Sequence, residues 1–286
     1  MLRTRSVVAL TLLTAAAWVG FGELASMEAQ ANFGGCTQEK DFEYAIRACT
    51  SIIDQGKRAR RQDRAIAYYM RGRAHFVIQR DPRSQGELDR AIADFSSAIE
   101  LEPNYVEAYT RRGRAYASMK QHNRAIADYS KVIKLKPRSS RTYNRRGNVY
   151  ADKGELERAI ADYDKAIKLN PNDSAYYVNR GDAYEAKGQP RRAIADFSRA
   201  IELRTAYYIR MNRYGKRGGL DAIISDPDKP IKSDTALSRA FSYRANAYRK
   251  TKQFDHAISD MRKAISLDPG RQHYRSVLRQ LEAARN

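Results

Sequence analysis

The chain has 286 residues, with 53 Lys and Arg against 33 Asp and Glu, giving a formal net charge of +20. At 30% charged and 42% hydrophobic it is too polar for a polytopic membrane protein and too apolar for a disordered basic tail. Two Cys exclude a cysteine-rich scaffold and a four-Cys zinc site, while the charge points to an anionic partner: nucleic acid, a membrane surface or an acidic protein.

Arg3 and Arg5 precede an uncharged apolar run at 6–22, and Ala29-Gln30-Ala31 forms an A-x-A cleavage site. This three-part pattern predicts a signal peptide at 1–31, with the mature chain starting at Asn32. The run is at the short limit for a membrane span, so an uncleaved anchor is the alternative. Phe33-Gly34-Gly35 before Cys36 is a poor lipobox. An exported, periplasmic or secreted, location removes cytoplasmic DNA and RNA as partners, so no nucleic acid is expected. It also permits disulfides. Removing 1–31 leaves the net charge at +20.

Residues 32–62 read as an N-terminal capping segment. The stretch DFEYAIRACTSII at 41–53 predicts a single helix with Cys49 facing the core, and Cys36 lies in the loop before it. Roughly 12 Å of helix separates residue 41 from Cys49, and five residues from Cys36 span up to roughly 17 Å. The chain can therefore double back to form a Cys36–Cys49 bond, worth about 3 kcal/mol in the chain-entropy model. Two free thiols or a metal pair are the other readings.

Beyond residue 62 the sequence repeats. Gly113, Gly147 and Gly181 are spaced by 34 residues, as are Tyr116, Tyr150 and Tyr184. Ala91, Ala125, Ala159 and Ala193 keep the same register, and so do Phe95, Tyr129, Tyr163 and Phe197. Pro103, Pro137 and Pro171 close three of the units. Within one unit, Tyr143, Gly147, Tyr150 and Ala151 share a helical face, as do Ala159, Tyr163 and Ala166 on a second helix. Gly147 and Ala159 are small where the two helices meet, Lys153-Gly154 makes the turn, and Pro171 stops the second helix. An earlier unit carries Gly72 in a helix at about 63–79, and the insertion DPRSQGELD at 81–89 delays its second helix by seven residues.

After 203 the pattern decays. Pro227 and Pro230 exclude a regular helix there, and 225–233 reads as extended or irregular. No Pro follows Ile201, which predicts one long helix over about 191–214. At 238–286 the register returns with Phe241, Ala245 and Tyr248, then Ala257, Met261, Ala264 and Pro269. The last stretch, 272–284, places Tyr274, Val277, Leu278 and Leu281 on one stripe, the look of a capping helix.

These slots resemble the tetratricopeptide repeat (TPR) over about 41–270. The resemblance implies an all-α fold, a right-handed α-solenoid superhelix of antiparallel helix pairs, A then B. It divides the chain into the signal peptide at 1–31, the cap with its disulfide at 32–62, four repeats at 63–203, a degenerate repeat at 204–237 and a last repeat with its cap at 238–286. It further implies a concave face lined by helices A that holds a peptide or partner helix. By register that face carries Tyr69, Met70 and Arg73; Glu107, Thr110, Arg111 and Arg114; Arg141, Asn144, Arg145 and Asn148; and Val178, Asn179, Asp182 and Glu185. Arg suits carboxylates and Asn both donates to and accepts from a peptide backbone, so an acidic or C-terminal segment is the expected ligand. The carboxylate clamp of chaperone-docking TPRs is matched only at Asn148 and Asn179. Its Lys slots hold Asn144 and Thr205, and its Arg slot holds Ile209.

No phosphate-binding loop, dinucleotide fingerprint, nucleophile elbow or HExxH motif occurs. The recurring Asp128, Asp162 and Asp196 are copies of one scaffold position, not catalytic carboxylates. His75, His122, His256 and His273 are scattered and read as solvated. No catalytic residue, cofactor or metal is therefore expected, and the function expected is a protein-interaction scaffold of the cell envelope. A binder of anionic envelope polymer or membrane surface is the alternative, since the charge peaks at 104–137 (+6) and 238–286 (+7). An accessory subunit positioning an envelope enzyme is a third reading.

Overall fold

The computed structural model describes residues 34–37, 41–78, 86–215 and 234–285, and among these there is no strand. The signal peptide and the irregular stretch expected at 225–233 lie outside the described residues. No described helix is long and apolar enough to cross a membrane. The chain falls into two compact units, one ending at Leu135 and one beginning at Lys136.

The first unit contains α1 (Phe42–Asp54), a short 3-10 turn (Gly56–Arg58), α2 (Arg61–Ile78), α3 (Glu87–Leu101), α4 (Val106–Ser118) and α5 (His122–Leu135). Asp41 caps α1 by accepting from the Tyr44 amide at 2.9 Å. Cys49, fully buried on α1, is bonded to Cys36, and their Cα atoms are 4.7 Å apart. This is the pairing expected from the sequence. Helices α2 and α3 pack as an antiparallel pair around Phe95, Ala91 and Ala98, all fully buried. Gly72 is small for a physical reason. A Cβ there would come within 2.8 Å of Cε1 of Phe95.

The second unit contains α6 (Ser140–Asp152), α7 (Leu156–Leu169), α8 (Ser174–Ala186), α9 (Pro190–Gly215), α10 (Thr235–Lys250), α11 (Phe254–Leu267) and α12 (Gln272–Arg285). The same close approach recurs, with Gly147 over Tyr163 and Gly181 over Phe197. The turn between α6 and α7 passes through Gly154 at φ 78°, and the turn between α8 and α9 through Gly188 at φ 72°. In each, the amide of the following residue donates back to a tyrosine carbonyl, Glu155 to Tyr150 at 2.9 Å and Gln189 to Tyr184 at 2.8 Å. Helix α9 runs 26 residues without a break at Arg204, as the absent proline predicts. Asp234 caps α10 through the Ala236 and Leu237 amides and also accepts from Arg204, tying α9 to α10. Helix α12 buries Tyr274, Val277 and Leu281 against α11, with Leu278 packed beside them.

The reading of all four histidines as solvated fails. His75 is not solvated but 8% exposed, with Nδ1 hydrogen-bonded to Glu87 and Nε2 3.9 Å from Asp94. It stands four residues after Arg71, the slot that Tyr116, Tyr150 and Tyr184 fill after Arg112, Arg146 and Arg180. The position faces the partner helix whatever residue occupies it. His122 is half-buried, whereas His256 and His273 are exposed.

Candidate functional site

Each helix A carries an arginine immediately before its small residue, and each is locked to the aspartate of its own helix B. Arg71 grips Asp94, Arg112 grips Asp128, Arg146 grips Asp162, Arg180 grips Asp196 and Arg244 grips Asp260. In every pair both carboxylate oxygens accept, at 2.7–3.0 Å. These forks are bidentate and charge-assisted. Arg112, Arg146, Arg180 and Arg244 also lie between two aromatic rings, three residues before and four after, with centroids at 5.5–5.8 Å. A remaining guanidinium nitrogen reaches the preceding helix B: Arg71 to Thr50, Arg112 to Ser96 and Arg244 to Ser198. The recurring aspartates are therefore structural mortar. Burial pushes the Asp128 carboxyl above the usual range even though Arg112 opposes it.

In the first unit, the residues expected on the helix-A face divide between packing and surface. Tyr69 is buried, its ring 6.0 Å from Phe95 and 5.0 Å from Tyr105, so it fills the core and is not offered to a ligand. Arg73 lies 5.9 Å from the Tyr69 ring with Nη1 3.3 Å from the Met70 sulfur. Arg114 stacks 5.2 Å over Phe76, which brings α4 onto α2. The Thr110 hydroxyl donates to the Val106 carbonyl at 2.8 Å within its own helix. Arg111 is half-buried and Glu107 exposed.

In the second unit, the expected residues converge more closely. The Asn179 side-chain amide donates to Oδ1 of Asn144 at 2.9 Å and to Oδ1 of Asn148 at 3.1 Å. The Tyr163 hydroxyl donates to the same Asn148 oxygen at 2.9 Å. Three asparagines from α6 and α8 thus form one ladder. Among the described residues, the amino groups of Asn144 and Asn148 and the carbonyl oxygen of Asn179 have no protein partner. Arg141 is exposed at the start of α6, and Arg145 is half-buried.

Two cavities flank the ladder and share Asn179 and Asp182. One, of about 230 Å³, is walled by α8, α9 and α10 and includes Val178, Arg239 and Tyr243. The other, of about 400 Å³, is walled by α6, α7 and α8. Burial, aided by the neighbouring Glu185 and opposed by Arg239, pushes the Asp182 carboxyl up to about 7. Glu185 is itself ion-paired to Lys250 at 2.9 Å.

Models of the TPR repeat match residues 83–120 and 147–188, and models of the tetratricopeptide repeat match 106–139, 174–207 and 238–271. Together these segments span more than half of the chain. The chain belongs to the tetratricopeptide-repeat family. Among solved structures it is similar to MamA at 26% identity and a TM-score of 0.53, covering 59% of this chain and 91% of that one. MamA from Desulfovibrio magneticus RS-1, at 23% identity and a TM-score of 0.55, covers 63% and 96%. YrrB, described as a TPR protein with an unusual peptide-binding site, is 19% identical with a TM-score of 0.54, covering 82% of this chain and 98% of its own. No curated protein sequence matches the chain. TPR proteins bind peptides or proteins and are generally non-enzymatic scaffolds, so the TPR fold itself supports a protein-interaction role.

Sequence reasoning named Asn144, Asn148, Asn179 and Asp182 one by one but missed their contacts. It also missed Arg112, Arg146 and Arg180 as a set, although each adjoins a periodic glycine and so shares its period.

Proposed function

We propose that this TPR chain is a non-enzymatic scaffold of the cell envelope that holds an extended segment of a partner protein on its helix-A faces. The observation that carries the reading is the asparagine ladder of the second unit. An extended peptide has alternating backbone donors and acceptors, and the ladder presents both kinds of group beside two cavities able to take side chains. Arg145, on the same helix as Asn144 and Asn148, supplies positive charge for acidic residues of such a segment. The Cys36–Cys49 bond supports an oxidising, exported location.

The test is affinity capture from an envelope extract on the immobilised chain, with the Asn144→Ala, Asn148→Ala, Asn179→Ala triple variant alongside. Loss of the captured proteins with the triple variant supports the ladder as the binding surface. Equal capture by a folded triple variant contradicts it.

A second reading is favoured by Lys252, Lys263, Arg275 and Arg279, which are exposed and make no ion pair with any described residue. These groups suit an anionic polymer or membrane surface. Binding through them falls steeply with salt, whereas a shape-specific groove loses less.

A further inference from the structure

The larger cavity of the second unit has a lining unusual for this chain. Asn148, Asp152, Leu156, Tyr163, Asn179 and Asp182 contribute to its walls, and no Lys or Arg does. The side-chain carboxylates of Asp152 and Asp182 make no hydrogen bond or ion pair with any described residue. The chain carries a net charge of +20 and holds its buried aspartates in arginine forks, whereas Asp182 is half-buried without a fork and Asp152 is exposed at the cavity. Both carboxylates act on the cavity from different helices, Asp152 at the end of α6 and Asp182 on α8. Burial, with the negative charge of Asp152 and Asp182 adding to it, pushes the Tyr163 hydroxyl above its ordinary range. The remaining wall is apolar, formed by Ala151, Leu156, Ala183 and Ala186.

We propose that this cavity receives a lysine or arginine side chain of the partner segment, with its cationic head between Asp152 and Asp182 and its aliphatic stem against Leu156 and Ala183. The proposal rests on the reading of the helix-A face as a peptide-binding surface and adds the chemistry of one anchor. A long basic side chain matches both parts of the lining, because its stem is apolar and only its end is charged. An acidic anchor would instead place a third carboxylate beside Asp152 and Asp182.

The proposal also sets a pH dependence. The charged and titratable groups around Asp182 are Glu185 on its own helix, Asp152 on α6, Tyr163 on α7, and Arg239 and Tyr243 on α10. Arg204 on α9 lines the smaller cavity but is paired with Asp234. Glu185 is paired with Lys250. Asp182, with its midpoint near 7, is the group that changes charge around neutrality. A cation stabilises its ionised form, so affinity for a basic peptide rises about tenfold between pH 6 and pH 8.

The test is selection of a displayed random heptapeptide library on the full chain. The affinities of the recovered peptides are then measured for the wild type and for Asp182→Asn and Asp152→Asn. Enrichment of Lys or Arg at one position, a loss of tenfold or more in Asp182→Asn at pH 8 and a smaller loss in Asp152→Asn support the anchor. Asp182→Asn removes a desolvated charge, so it remains folded, which circular dichroism checks. Peptides that bind but show acidic or apolar enrichment, or bind Asp182→Asn as tightly as the wild type, overturn the anchor and leave the peptide-binding surface intact. Failure to select any peptide sensitive to the Asn144, Asn148, Asn179 triple variant counts against the surface and the anchor together.

Discussion

The guanidinium of Arg180 meets the carboxylate of Asp196, sixteen residues later, through two parallel hydrogen bonds: Nε to Oδ2 at 2.8 Å and Nη2 to Oδ1 at 2.7 Å. The same sixteen-residue fork joins Arg112 to Asp128, Arg146 to Asp162 and Arg244 to Asp260. Between Arg71 and Asp94 the separation is 23 because seven residues are inserted between the helices. Asp196 is buried, so truncating Arg180 to Ala leaves a carboxylate without its partner. Stability is expected to fall by about 3 kcal/mol in urea denaturation. Arg180→Lys rescues little of this, since an ammonium cannot make the fork. Arg199→Ala, which removes an exposed pair with Glu202, is expected to change stability by less than about 1 kcal/mol.

The small residue after each of these arginines is matched to the side chain it faces. A Cβ at Gly181 would come 2.6 Å from Cε1 of Phe197. Gly181→Ala is expected to destabilise by about 1–3 kcal/mol. At the corresponding positions of α10 and α11 the chain carries Ala245 and Met261, a larger residue facing a more adaptable one. Combining Gly181→Ala with Phe197→Met should therefore recover part of the loss, and thermal melts of the three variants measure the coupling.

The Cys36–Cys49 bond closes a loop with a sequence separation of 13 at the start of the first unit. Cys49→Ala, or reductant on the wild type, is expected to lower stability by about 3 kcal/mol. Hydrogen exchange should show the loss concentrated in α1. Equal exchange in the oxidised and reduced chains would contradict this.

Asp182 makes the chain less stable when it is ionised. Its carboxyl moves from an ordinary value of 3.8 to about 7 in the folded chain. The folded state therefore holds a proton that the unfolded state has released, and stability declines as pH rises from about 4 to about 7. Asp182→Asn removes that decline. The variant should be more stable than the wild type at pH 8, by on the order of 3 kcal/mol, and about equal to it at pH 4. Melting curves at the two pH values give the comparison.

The repeat was legible because core positions in stacked helix pairs recur at a fixed interval. Gly147, Tyr150, Ala159 and Tyr163 name the two facing surfaces of α6 and α7 before any coordinates. The unbroken α9 followed from a missing proline after Ile201, and the Cys36–Cys49 pairing from reach and helix register. The burial of His75 was hidden, since its polar ring fills a slot that tyrosine occupies elsewhere and its partner Glu87 comes from beyond the inserted loop. The arginine forks were hidden for a different reason. A charged residue on a helix-A face reads as surface until its aspartate is seen on the facing helix. The asparagine ladder and the Asp152–Asp182 cavity join residues 30 to 35 positions apart, and only folding brings their side chains together.

The most direct test of peptide capture on the helix-A face is site-specific photo-crosslinking in an envelope extract. The crosslinking residue is placed at Arg141, exposed on α6 one turn before the ladder, or at Lys165, exposed on α7. A discrete adduct from position 141, absent from position 165 and competed by a selected peptide, is the result predicted. Equal adducts from both positions, or none from 141 while the chain still captures its partner, would contradict the account.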